Sequence, residues 1–386
     1  MPTRLQQRSA HMAWMTLALL ALLIVSLIGC GGSTPSLPPA DSPADPPANP
    51  PANPPAAPPF SGEDARYAGP GSHWEIELGS DGEFQISFQP TLDGEVAMTV
   101  GGDYQRTAAG FINMTVAEAD GEGAPEPGDT AWGLEAPGLA FFLQPTDADG
   151  FISMVTAGDC PNEVMNSIWN TVRGRSELDA SDADADLFGG FTFDPASGNA
   201  VVSHRFALDA EFTDQGPSAI GTGTCEQGLM RVPDANIYLT DNGGAIVHVQ
   251  PDEDDGSIIF ALPSEPIDAV ADIDGAYAGI AFSGSEELAE APTRAFTAQC
   301  DAGSCAAELM DVASGETSGE TFGVELTGTL NLPLPGQLTG TLVDGADSTP
   351  LACNVLVRDA TVLSCVGRAP DDPSQLLNLL LVEQQP

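Results

Sequence analysis

The chain has 386 residues, with 56 acidic side chains against 11 basic ones and a net charge of −45 at pH 7. Every basic residue is arginine, so there is no Schiff-base lysine, no Walker-type phosphate loop and no Ser-Lys dyad. The charge balance also excludes nucleic acid and anionic headgroups as partners, because binding them depends on basic side chains that neutralise phosphates.

Arg4 and Arg8 are the only charges before Asp41, and an apolar run from Met12 to Ile28 follows them. A positive start, an apolar stretch and small residues at a cut site make a secretory leader over residues 1–29. The competing reading is an uncleaved transmembrane helix, which needs ~20 apolar residues. The run is shorter than that and is interrupted by Thr16 and Ser26. Leu27-Ile28-Gly29-Cys30 resembles the lipobox of bacterial lipoproteins. The resemblance implies that the leader is removed and that Cys30 is acylated as the mature N-terminus. It also implies a membrane held through the lipid anchor. Each buried CH₂ of an acyl chain contributes ~0.8 kcal/mol, so stable anchoring takes more than one chain. Gly31 after the cysteine, by the same analogy, points to the outer membrane of the cell envelope.

Residues 30–60 form a tether. From Ser33 to Pro59 the chain reads STPSLPPADSPADPPANPPANPPAAPP, with Leu37 its one large aliphatic residue. Such a segment buries no core and favours extended polyproline II, a semi-rigid spacer. At ~3.1 Å per residue it reaches up to ~80 Å. A proline-rich docking motif is the other reading, but no basic residue flanks the prolines to orient one.

From residue 61 onward, short alternating segments and glycine turns predict a mainly β chain. Trp74, Ile76 and Leu78 alternate with Glu75 and Glu77. After Ser80-Asp81-Gly82, Phe84, Ile86 and Phe88 alternate with Glu83, Gln85 and Ser87, giving a hairpin with one dry face. Val96, Met98 and Val100 continue the meander. CPNEVMNSIWNTVRGR predicts one short helix over about residues 160–175, because Val164, Ile168 and Val172 share a stripe, Asp159 can cap it and Pro161 suits its first turn. Val202 to Phe212 reads as a strand, and IYLTDNGGAIVHV as a hairpin about Asp241-Asn242-Gly243-Gly244. FGVELTGTLNL pairs with QLTGTLV across Pro335-Gly336, and QLLNLLLVEQ reads as a closing strand. Asp64-Ala65-Arg66-Tyr67-Ala68-Gly69 recurs as Asp274-Gly275-Ala276-Tyr277-Ala278-Gly279. The expected architecture is two antiparallel β modules, sandwiches or barrel-like meanders, over residues 61–265 and 266–386.

Seven cysteines would strand one thiol in an exported protein. With Cys30 assigned to lipid, six remain for disulfides: Cys160, Cys225, Cys300, Cys305, Cys353 and Cys365. Six cysteines permit 15 pairings. Cys300 and Cys305 flank a tight Asp-Ala-Gly-Ser turn, and Cys353 and Cys365 are symmetric about Asp359. Local proximity therefore favours these two pairs, and leaves Cys160 with Cys225. Zinc spacing of the C-x₂-C kind is absent.

Candidate chemistry is sparse. No G-x-S-x-G nucleophile elbow occurs. His73 is expected to face solvent and His248 is ambiguous. His204, among Val202, Phe206 and Leu208, is expected on a dry face. It is a candidate general base, against the ordinary reading of a hydrogen-bonded core histidine. Asp182, Asp184 and Asp186 alternate as at the start of a calcium loop, and are the candidate Ca²⁺ ligands. An EF-hand needs Gly at its sixth position and Glu at its twelfth, where this chain has Leu187 and Phe193. Asp147–Gly150 and Asp252–Gly256 are similar acidic turns. The expected function is a non-enzymatic binding, adhesion or structural role in the cell envelope, toward a protein or glycan partner. Two alternatives stand beside it: a lipid-anchored hydrolase using carboxylates and His204, and a calcium-dependent adhesion module.

Overall fold

The computed structural model describes residues 65–69, 74–89, 95–146, 152–173, 188–198, 200–206, 214–232, 235–240, 242–249, 257–267, 269–283, 293–329, 334–369 and 376–384. Cys30, the leader, the tether, His73, Asp182, Asp184 and Asp186 lie outside these residues, as do the acidic turns at 147–150 and 252–256.

Alternation with period two builds the first body. Strands β1 (Ala65–Gly69), β2 (Trp74–Leu78), β3 (Glu83–Phe88), β4 (Met98–Arg106), β5 (Phe111–Gly121), β6 (Thr130–Ala136), β7 (Ala140–Pro145) and β8 (Ile152–Thr156) follow one another as an antiparallel meander. The meander closes because β8 pairs back on β1, among the described residues over Tyr67↔Thr156 and Ala68↔Val155, with the Ala157 N–H donating to the Arg66 carbonyl beyond them. Closure leaves no free strand edge in this body. Tyr67, Ile76, Leu78, Phe84, Ile86, Val100, Met114 and Phe141 fill the inside. Arg66, Glu77, Gln85 and Glu118 are exposed on the outside. An apolar interior under a charged exterior is the reverse of a lipid-embedded barrel. Among the described residues no helix is long and apolar enough to cross a membrane.

The third body repeats this plan. Strands β18 (Gly275–Ser283), β19 (Thr293–Asp301), β20 (Ser304–Met310), β21 (Thr317–Thr329), β22 (Gln337–Asp344), β23 (Asp347–Val357), β24 (Thr361–Arg368) and β25 (Leu376–Glu383) close a second eight-stranded barrel. Here the last strand pairs with the first over seven residues, from Tyr277↔Glu383 to Ser283↔Leu377. The expected closing strand thus seals this barrel. Each copy of the Tyr-Ala-Gly repeat lies on the first strand of a barrel, with Tyr67 and Tyr277 fully buried inside. Each motif glycine is held by a close approach: a Cβ on Gly279 would meet the Phe296 ring at 2.2 Å, and one on Gly69 the Met154 side chain at 2.6 Å.

Between the barrels lies a nine-stranded sheet in the order β12-β11-β10-β9-β17-β16-β15-β14-β13. Its strands are β9 (Met165–Arg173), β10 (Phe188–Asp194), β11 (Ala200–Phe206), β12 (Asp214–Thr222), β13 (Thr224–Glu226), β14 (Leu229–Val232), β15 (Ala235–Leu239), β16 (Ala245–Val249) and β17 (Ser257–Pro263). The two edge strands, β12 and β13, are consecutive in sequence, so the sheet must curl to bring its margins together. Gly223 between them presses on β14, where a Cβ would sit 2.1 Å from the Arg231 carbonyl oxygen. The curl encloses Met165, Trp169, Phe191, Phe193, Met230, Ile237 and Val247. Its outer side chains, including Ile168, Leu229, Ile246, Phe260 and Leu262, share one apolar core with outer residues of both barrels.

Over the described part of 160–175 the expected helix is not formed; Met165–Arg173 enter the sheet as an interior strand, β9. Trp169 and Met165 point into the curl while Ile168 points to the shared core, so both faces are buried. A strand buried on both faces loses its alternation, and its apolar spacing can imitate a helical stripe. Val164, the presumed start of that stripe, is 59% exposed.

Three disulfides join Cys160 to Cys225, Cys300 to Cys305 and Cys353 to Cys365. The last two link directly opposed residues of neighbouring strands and lie in the core of the second barrel. Cys160–Cys225 fastens the approach to β9 onto β13, an edge strand of three residues. It closes a separation of 65 residues, which on the chain-entropy model contributes about 4 kcal/mol. Replacing both Cys160 and Cys225 by serine is expected to lower unfolding free energy by that order, measured by denaturant titration of the non-reduced protein. Amide exchange should rise first in β13 and β14.

Candidate functional site

Both barrel interiors are packed with side chains, so a ligand surface has to be sought outside. The outer face of the first barrel carries a concavity of about 1010 Å³. Register explains its lining. Arg66, Glu77, Gln85, Gly101 and Glu118 are consecutive partners across β1 to β5, forming one row of outward residues. Glu83, Asp103, Thr99 and Asp120 flank the row. A barrel wall is ordinarily convex, and a β-bulge changes that here. Gly101 pairs with Glu118 but Gly102 pairs with Val116, which leaves Ala117 as the extra residue of β5. Such a bulge bends its strand and sharpens the local twist. Gly102 makes the bend possible: a Cβ there would lie 2.0 Å from the Thr115 carbonyl oxygen and 2.9 Å from the Phe84 ring.

The rim of the concavity is fixed from two sides. The Glu83 backbone N–H donates to Asp81 Oδ1 at 3.2 Å, holding the β2–β3 turn. From inside the barrel, the Tyr104 hydroxyl donates to the Gly79 carbonyl at 2.7 Å. Six carboxylates (Glu77, Asp81, Glu83, Asp103, Glu118 and Asp120) and one guanidinium line the space. That guanidinium, Arg66, is bound to Glu75 and lies 3.5 Å from Glu77 through Nε; Arg66 and Glu77 are open to water and Glu75 is partly so. Exposed pairs of this kind contribute ~0–1 kcal/mol. The surface therefore presents hydrogen-bond acceptors and negative charge, suited to a cationic or hydroxyl-rich partner.

A second polar cluster lies inside the same barrel. The Tyr67 hydroxyl donates to Glu135 Oε1 at 2.5 Å, and Arg106 donates through Nη2 to the other oxygen, Oε2. Glu135 is 5% exposed. Burial pushes the Tyr67 hydroxyl above its usual range, with the Arg106 charge opposing, and burial lowers Arg106. Every charged atom of Glu135 is matched, so the cluster locks β1, β4 and β6 together.

His204 does not occupy the dry face expected of it. It lies half-buried on β11, in register with Gly190 and Pro217. Val201, Ser203 and Phe206 are buried, and Val202 is 37% exposed. The extra residues at the two register shifts, Gln215 and Ile220, lie on β12, so β11 keeps its alternation and His204 falls on the same face as the exposed Val202. Among the described residues no group of three or more His, Cys, Asp or Glu side chains is arranged to hold a metal ion. The bulge had one signal in the sequence, the Gly101-Gly102 pair within a strand pattern. Glu135 and Arg106 had none, since nothing in spacing distinguishes an inward charge.

No family model matches the chain, and no curated protein matches it in sequence. Among solved structures it is similar to a mutant of the vaccine antigen Transferrin Binding Protein B from Haemophilus parasuis. The identity is 11% and the TM-score 0.27, over 82% of this chain and 66% of that one. This chain thus spans just under two thirds of the length of that structure.

Removing the buried carboxylate tests the lock inside the first barrel. Glu135→Ala leaves a half-buried cation and a buried hydroxyl without their partner, and is expected to cost about 3 kcal/mol or more in urea unfolding. Glu135→Gln retains an acceptor and should cost less.

Proposed function

We propose that this protein is a cell-envelope lipoprotein with a binding role, anchored through Cys30 and displayed on its proline-rich tether. The concave acidic wall of the first barrel is its ligand surface. The observation that carries this reading is the bulge at Gly101-Gly102, which turns a convex barrel wall into a concavity. Filled barrel interiors support it, because they leave the outer walls to meet a partner. The partner is a protein presenting basic side chains, whose charge complements six carboxylates; this complementarity favours it over a glycan. Charge complementarity of this kind acts mainly on association rate and specificity and weakens as salt rises.

Two measurements test the proposal. Radiolabelled palmitate fed to cells expressing the full chain should be incorporated into the wild type and not into Cys30→Ser, and the variant should leave the membrane fraction. For the ligand surface, the probe is an immobilised panel of arginine-rich peptides at low salt. A Glu77→Gln/Glu118→Gln/Asp120→Asn variant should lose retention by more than about tenfold for the best-bound peptides. A Glu308→Gln/Glu320→Gln/Glu325→Gln variant on the second barrel, which changes net charge equally, should keep it. Equal losses from both variants would show general attraction to polycations and overturn the site.

A further inference from the structure

The turn between β15 and β16 touches both barrels. Asn242 occupies it, and its side-chain amide donates to the Gly138 carbonyl in the β6–β7 turn of the first barrel, at 2.5 Å. Its Oδ1 accepts from the Gly244 N–H at 2.9 Å and from the Thr240 hydroxyl. Its main-chain carbonyl accepts from Arg358 Nη2, at 3.3 Å, in the β23–β24 turn of the second barrel. Arg358 is also held by Glu265, which follows β17, with Nε 3.0 Å from Oε1. Ser167 of β9 donates to the Gly243 carbonyl at 2.7 Å.

The geometry of this turn dictates a chemically fragile pair. Gly243 has φ +92° and is buried, and a Cβ would meet the Pro263 ring at 3.1 Å, so only glycine fits. Position 242 needs an amide, since it donates to one carbonyl and accepts from an N–H. Asn-Gly is the dipeptide most prone to deamidation, because no side chain hinders attack by the glycine nitrogen. It occurs once in this chain.

We propose that Asn242 is a deamidation site, and that its conversion irreversibly releases the first barrel's β6–β7 turn from the junction. In the reaction the Gly243 backbone nitrogen attacks Asn242 Cγ, the side-chain nitrogen departs as ammonia, and a five-membered succinimide forms. Water then opens the ring to aspartate or isoaspartate, so one amide and one water become one carboxylate and ammonium. In the closed junction the Gly243 N–H donates to the Thr240 carbonyl at 3.1 Å and the amide is held on Gly138. Both bonds must open before attack, so the reaction runs from the open state. The product cannot close again: its carboxylate faces the Gly138 carbonyl, acceptor against acceptor, and competes with Glu265 for Arg358.

The test is ageing of the full chain in mildly alkaline buffer, with peptide mass mapping of Asn242. Conversion should be more than about tenfold slower in the folded protein than in denaturant, and faster in Arg358→Ala than in the wild type. The aged fraction, separated by charge, should show faster amide exchange over residues 136–140 with β18 and β25 unchanged. Asn242→Asp should reproduce that pattern, and if it does not fold the aged wild-type fraction carries the test. Equal rates in folded and unfolded chain, no conversion of the folded protein, or native exchange at 136–140 after conversion would each overturn the proposal.

Discussion

A strand in a closed barrel has two faces, and the barrel interior accepts only one of them. The rest of this structure follows from what covers the other. In both barrels part of the outer wall is apolar: Phe111, Leu134 and Phe142 in the first, Ile280, Phe282 and Leu380 in the second. Left in water these walls would cost roughly 25 cal/mol per Å² of apolar surface. The curled sheet resolves this because it too has an apolar outer side, while its inner side encloses a core of its own. The three bodies therefore condense on one shared core, and the charged residues are left for the remaining walls.

Polar groups within that contact define how the bodies register on one another. Asn354 donates to Asn170 Oδ1 at 2.9 Å, and Gln337 donates to Asn354 Oδ1 at 2.7 Å and to the Gly189 carbonyl at 3.2 Å. Asn170 in turn donates to the Ser364 carbonyl. Apolar packing alone tolerates sliding, whereas a buried amide that loses its partner costs ~1–3 kcal/mol. This chain of amides links β9 and β10 to β22, β23 and β24 in one arrangement.

What the amino acids disclose on their own depends on how local the determining physics is. The Trp74–Phe88 hairpin, the Asp-Asn-Gly-Gly turn and the final strand were legible, because alternation and turn chemistry act over a few residues. The Tyr-Ala-Gly repeat was legible as repetition, and its position on the first strand of each barrel gives it a reason. The segment around Trp169 was not legible: burial on both faces erases the alternation that distinguishes a strand from a helix. His204 differs for another reason: the alternation of β11 holds, but the face that His204 shares with Val202 is the more open one, and apolar residue type alone did not tell which face would be covered. The concavity depends on Ala117 lacking a partner across the sheet, a fact of pairing that no single strand contains.

The unequal seams of the two barrels bear on mechanics. Among the described residues the first barrel closes through two residue pairs between β1 and β8, with one more backbone bond from the Ala157 N–H to the Arg66 carbonyl, and the second through seven pairs between β18 and β25. A pull applied at Ala65, the first residue of β1, arrives directly at the thinner seam. Under load, β1 would peel away and the first barrel would open while the second stayed shut, making that seam a mechanical fuse.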